Sequence, residues 1–129
     1  MANRMPKSII KTAKAPPPDA TYSNATVGGG FIFVAGQVGV DLKGEVKAGV
    51  TEQTQQALKN IKAIVEAAGS SLDNVMRVGV YLADLNDFNE MDKVYRTFFP
   101  QDPPARITLQ TPIGDKRCVI EIDAIALRG

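Results

Sequence analysis

Hydrophobic and polar residues alternate along this chain with two different periods, and the points where the period changes divide it into elements. Phe31-Ile32-Phe33-Val34-Ala35-Gly36 is a short apolar run rich in β-formers, preceded by Tyr22 to Val27 and the triplet Gly28-Gly29-Gly30. Two β-prone segments around glycines predict a hairpin. Val38 to Asp41 and Glu45 to Val46 flank Asp41-Leu42-Lys43-Gly44, a second turn with glycine where positive φ is wanted. The period then lengthens. Thr54, Ala57, Leu58, Ile61, Ile64, Val65 and Ala68 fall on one helical stripe, and Gly69 stands where a C′ residue belongs. Val75 to Leu82 returns to strand period, with Met76, Val78, Val80 and Leu82 on its more apolar face. Asp87 to Phe99 predicts a second amphipathic helix with Phe88, Met91, Val94, Tyr95 and Phe98 inward. Asp87 and Glu90 have capping-box spacing there, and Pro100 is the stop. Ile107 to Gln110 and the run from Cys118 to Leu127 close the chain as a pair of strands around the turn Thr111 to Asp115.

The order β-β-β-α-β-α-β-β predicts one α+β domain over residues 1–129, a mixed sheet with both helices packed on one face. Residues 1–20 carry four of the eight prolines and should be mostly irregular, with Ser8 to Lys11 able to add a short edge strand. In the last strand Cys118, Ile120, Ile122, Ala124 and Ala126 form a core face. Val119, Glu121, Asp123, Ile125 and Leu127 point the other way and set two acids among three aliphatics. Such a face is unsuited to being left in water, which implies a homo-oligomer that buries it. Arg106 follows Pro103-Pro104 at the mouth of the preceding strand. A covered carboxylate near an arginine is a candidate site, and an arginine beside an acid on a neighbouring strand is also a common structural ion pair.

Composition narrows the chemistry more than the architecture. Lys plus Arg is 15 against 14 for Asp plus Glu, so no electrostatic footprint points to nucleic acid or an anionic membrane. No apolar run approaches the ~20 residues needed to span a bilayer, and the basic N-terminal segment lacks an h-region, so a cytoplasmic location is expected. There is no histidine and only Cys118, which removes Ser-His-Asp and Cys-His nucleophiles and most zinc and iron sites. No phosphate-binding glycine motif occurs. An enzyme built from this chain works with carboxylates, hydroxyls, arginine, backbone groups and water.

Several segments resemble the reactive-intermediate deaminase (RidA/YjgF, L-PSP endoribonuclease-like) family. They are Tyr22 before a glycine hairpin, FIFVAGQV at Phe31 to Val38, LKNIKAIVEAAG at Leu58 to Gly69, VYLADLNDFNEMDKVYRTFFP at Val80 to Pro100, PPAR at Pro103 to Arg106, and VIEIDAIAL at Val119 to Leu127. The similarity runs from about Ile9 to near the C-terminus with the motifs in order. It implies a chorismate-mutase-like α+β fold assembled as a homotrimer, with active sites in the clefts between subunits. It also implies hydrolytic deamination of reactive 2-imino acids or enamines, such as 2-iminobutanoate and 2-iminopropanoate, to 2-keto acids and ammonia. No cofactor or metal is implied.

Carried over by residue, the resemblance makes Arg106 the anchor for the substrate carboxylate, since a planar guanidinium forks onto two oxygens. Glu121 becomes the acid/base near the attacking water. Tyr22 is a site tyrosine, and Gly36 brings backbone close to the ligand. Thr108 stands where many members have cysteine, Asp92 near the site mouth where several have asparagine, and Ala35 where serine is frequent. These departures bear on substrate range. The alternatives are hydrolysis of a related enamine, an endoribonuclease-like role, and a noncatalytic trimer that binds small ligands or acts as a chaperone. The balanced charge and absent histidine disfavour the nucleic-acid role. Cys118, among Ile120 and Ile122, reads as a buried structural thiol.

Overall fold

The computed structural model describes residues 6–129, an α+β domain with one six-stranded mixed sheet. Strands β1 (Ser8–Ile10), β2 (Ala25–Gly28), β3 (Phe31–Val38), β4 (Val75–Leu82), β5 (Ala105–Gln110) and β6 (Ile120–Leu127) lie in the order β1-β2-β3-β6-β4-β5. All neighbours are antiparallel except β4 and β5, which run parallel. Helices α1 (Gly49–Ala67) and α2 (Phe88–Phe98) pack against each other, and α1 lies over β3 and β6. No helix among the described residues is long and apolar enough to cross a membrane.

Local chemistry explains the junctions. Gly29 and Gly30 both have positive φ (59° and 83°), the geometry a two-residue hairpin needs between β2 and β3. The helical stripe is buried as the periodicity requires, with Ala57, Leu58, Ile61, Ile64 and Val65 all at or below 1% exposure. At the end of α1, Gly69 N–H donates to Glu66 O and Ser70 N–H to Val65 O, with Gly69 at φ 83°; this is a Schellman closure.

Four readings of the sequence are corrected. The turn at Asp41 to Gly44 is held by the Asp41 carboxylate, which accepts from Lys43 and Glu45 N–H, but Val40 and Val46 form an isolated bridge rather than two strands. A bulge between Val75 and Arg77 puts Val75 into the core and leaves Met76 50% exposed, so the early apolar face of β4 is one residue out of phase. Asp87 does not cap α2. The chain enters through a 3-10 turn, Leu85 to Asp87, whose cap is Asp84, accepting from Asn86 N–H. Finally, β5 and β6 are not neighbours. The β4–α2–β5 crossover carries β5 to the outer edge and leaves β4 between them.

The core lies between the helices and one sheet face, where Ile32, Val78, Val80, Leu82, Ile120 and Ile122 are fully buried. No element among the described residues covers the opposite face. On it Phe33 is 47% exposed, Phe31 41%, Ile107 44%, Leu109 36% and Leu127 37%, an apolar surface continuous enough to demand a partner.

Candidate active site

Glu121 owes its position to a defect in a strand. The β3–β6 register slips between Val34 and Gln37, so β3 bulges at Ala35–Gly36 opposite Asp123 of β6. The Glu121 side chain lies against the bulge so closely that a Cβ on Gly36 would overlap Glu121 Oε2. A side chain at position 36 would therefore push the carboxylate out of this place. Around them opens a cleft of about 740 Å³ whose wall includes Tyr22, Asn24, Ala35, Gln37, the Asp41–Gly44 turn and Arg117. The Tyr22 hydroxyl, at the rim, donates to Asp19 Oδ1 at 3.0 Å.

Among the described residues, the Glu121 carboxylate accepts no hydrogen bond and forms no ion pair. Partial burial first, and the negative charge of Asp123 second, push its carboxyl above the usual carboxylate range. Asp123, two residues on, is treated differently. Its Oδ1 accepts from Gly79 N–H at 3.0 Å and its Oδ2 from the Tyr81 hydroxyl at 3.1 Å. One acid of the mixed face is thus built into the sheet and the other is left free over a cleft.

Arg106 belongs to the helix side. Arg106 and Thr108 pair in register with Val78 and Val80, both buried beneath the helices, while Glu121 pairs with Tyr81 on the other face. Helix α2 holds the guanidinium with residues at i, i+4 and i+7. Asp92 Oδ1 accepts from Arg106 Nη1 at 2.8 Å, and the guanidinium carbon lies 4.5 Å from the Tyr95 ring centroid and 5.4 Å from that of Phe88. Arg96 reaches Asp92 Oδ2 at 3.1 Å. The Arg106 hydrogen bond, foremost, holds the Asp92 carboxyl below its ordinary range. Burial pushes the Tyr95 hydroxyl up to about 12, and it has no hydrogen-bond partner among the described residues.

The residues singled out from sequence therefore fall into two groups. Tyr22, Gly36 and Glu121 meet in the cleft. Arg106, Asp92 and Thr108 share the helix side at the outer edge of the sheet. Within one chain the groups do not meet, which corrects the reading of Arg106 as an ion-pair partner of the β6 acids on a neighbouring strand; its partner is Asp92. Two strand spacings alone separate them by roughly 10 Å, on opposite faces. Sequence reasoning took Phe88 and Tyr95 only as core and passed over Arg96. Its i, i+4 spacing from Asp92 was a usable signal. Cys118 is buried, as its neighbours indicated, and no group of three or more potential metal ligands occurs among the described residues.

Known proteins resemble this chain over nearly its full length. The family model described as Endoribonuclease L-PSP matches residues 12–128. A RutC family protein of Pyrococcus horikoshii is 48% identical over 124 residues, 95% of this chain and 98% of its own length. The human 2-iminobutanoate/2-iminopropanoate deaminase is 41% identical over 125 residues, 95% of this chain and 91% of its own. Among solved structures, E. coli TdcF with bound serine superimposes with a TM-score of 0.90 at 36% identity, covering 95% of this chain and 99% of that one.

Proposed function

We propose that the chain, which belongs to the endoribonuclease L-PSP family, the family of the RidA/YjgF deaminases, hydrolyses small 2-imino acids or their enamine tautomers to 2-keto acids and ammonia. The observation that carries this reading is the Glu121 carboxylate, unpartnered, raised in pKa and set over an open cleft. Its wall also offers hydroxyl and backbone groups. Relatives bearing the name 2-iminobutanoate/2-iminopropanoate deaminase at 41–42% identity support the substrate class, and the serine bound by E. coli TdcF is a small α-substituted carboxylate of similar size.

The chemistry asks little of the protein. An imine is already an electrophile, so catalysis reduces to holding the carboxylate, admitting water and moving protons. Ionised Glu121 takes one proton from the water as its oxygen bonds to C2 and delivers it to nitrogen, which receives the C=N π pair, giving a carbinolamine. It then takes the hydroxyl proton and passes it to the amine nitrogen; the C–N bond breaks, the O–H pair forms the keto carbonyl, ammonia departs and the carboxylate is restored. A carboxyl whose pKa lies above the usual range is better matched to both transfers near neutrality.

Arg106 enters from another copy of the chain. Its Nε and Nη2 make no hydrogen bond among the described residues, so the fork that matches a carboxylate is free. Because Arg106 and Glu121 occupy opposite faces, one chain cannot close the site, while a homotrimer packed through the open apolar face brings the two groups to shared clefts. The test couples a threonine dehydratase, which generates the imine, to measurement of keto-acid release. Light scattering on the same sample follows assembly. Release should accelerate on adding this protein, and the particle should have three times the chain mass. Unchanged release, or a stable monomer at micromolar concentration, would sink the reading.

A further inference from the structure

The arginine that the proposed function assigns to the substrate carboxylate is not a free cation. It is the inner member of a row, Arg106–Asp92–Arg96, in which each Asp92 oxygen serves one guanidinium: Oδ1 accepts from Arg106 Nη1 at 2.8 Å and Oδ2 from Arg96 Nε at 3.1 Å. The two ends differ in exposure. Arg106 and Asp92 side chains are 20% and 19% exposed, whereas the Arg96 side chain is 79% exposed and touches only the outer oxygen. A carboxylate arriving at the free edge of Arg106 must therefore compete with a second carboxylate held against the same cation in a partly desolvated place, where charge–charge interactions are screened weakly.

We propose that Asp92 and Arg96 are positioning residues that set the strength of the Arg106 anchor, Asp92 fixing the guanidinium and withholding part of its charge, and Arg96 restoring it from outside. This rests on the reading of Arg106 as the carboxylate anchor and adds what governs its selectivity. Tyr95 and Phe88 leave the guanidinium plane only limited freedom, so orientation survives small changes at Asp92 as long as an oxygen acceptor remains there. Asparagine keeps that acceptor and deletes the charge. The device trades affinity for selectivity: a half-neutralised anchor binds monoanions loosely and resists crowding of several anionic groups.

The test compares Asp92→Asn, Arg96→Gln and the double variant, reading KM and kcat for the dehydratase-generated imine. Calorimetry on the same proteins reads binding of 2-oxobutanoate and of its neutral amide, 2-oxobutanamide. Asp92→Asn should tighten 2-oxobutanoate about five- to tenfold, and lower KM similarly, with the amide unmoved, as expected for deleting one nearby like charge. Arg96→Gln should weaken the anion about threefold, the smaller effect of an exposed charge. In the Asp92→Asn background the Arg96 substitution should do almost nothing, because its effect runs through Asp92. Weaker or unchanged anion binding in Asp92→Asn overturns the proposal while leaving the deaminase reading intact. Arg96→Gln lies on the surface and keeps the test alive if Asp92→Asn unfolds; an unmoved anion affinity there is equally fatal. Failure of the wild-type protein to bind 2-oxobutanoate at all would overturn the anchor reading together with this one.

Discussion

Glu121→Gln should slow imine hydrolysis by roughly 10²–10⁴-fold after the imine's own breakdown is subtracted, the usual contribution of a general acid/base. The amide is nearly isosteric, accepts hydrogen bonds through its oxygen and cannot take a proton, so ligand affinity should change far less than turnover. Thr108→Ala is the internal comparison. Thr108 sits on the helix side near Arg106, away from the cleft of its own chain, and can at most orient water or a product oxygen. Should Thr108→Ala prove the more damaging of the two, the water is held elsewhere and Glu121 is structural.

The same substitution carries a stability signature. Burial raises the Glu121 carboxyl above the ordinary carboxylate range, so the fold favours the protonated form. The stabilisation this represents is fully present below the unfolded-state pKa and is lost as pH rises through the folded one. Wild type therefore gives up stability on going to neutral pH that Glu121→Gln does not. Thermal melts should show the variant gaining on wild type as pH rises from about 4 to 7. An identical gap at both ends would mean that the Glu121 carboxyl is not raised in the folded protein, and a gap moving the other way would mean that a cation pairs with it.

Arg106→Ala should lower kcat/KM by roughly 10²–10⁴-fold, since two charge-assisted hydrogen bonds at ~1.5–3 kcal/mol each are at stake. The domain should remain folded. Asp92 keeps its bond to Arg96, and Arg106, with its side chain 20% exposed on the edge strand β5, is not part of the hydrophobic core. Arg106→Lys supplies a point charge without the fork, and four methylenes stack on Tyr95 less well than a guanidinium plane. It should recover only a small part of the loss. Near-full activity in Arg106→Lys would refute two-point binding of the carboxylate, measured most simply as KM for the imine.

Much of this was legible because it is local. The helical stripe from Thr54 to Ala68, the glycine hairpin and the strict alternation of β6 follow from residue spacing within a few turns, and each is present. What the sequence hid was non-local. Sequential strands with a turn between them suggest a hairpin, yet β5 is joined to β4 in parallel through α2, and nothing in Thr111 to Asp115 announces that β4 is inserted beside β6. Bulges were equally invisible. One residue gained in β4 exposes Met76, and the slip in β3 is what places Glu121 against Gly36. The partner of Arg106 was missed because Asp92 and Arg106 meet only when α2 crosses the sheet.

The contact between Gly36 and Glu121 has a consequence for how such chains can diverge. Backbone conformation does not demand glycine at position 36, since its φ is not positive; what favours it is the carboxylate lying where a Cβ would go. The two positions are therefore epistatic. A lineage that keeps Glu121 in this position is favoured to keep Gly36, because a side chain there would turn the carboxylate away from the bulge, whereas one that has lost the glutamate loses nothing at this contact by accepting alanine or serine. Aligned descendants of this fold should accordingly show side chains at position 36 mainly where 121 is no longer acidic, so that an otherwise neutral small-residue change marks the loss of proton-transfer chemistry.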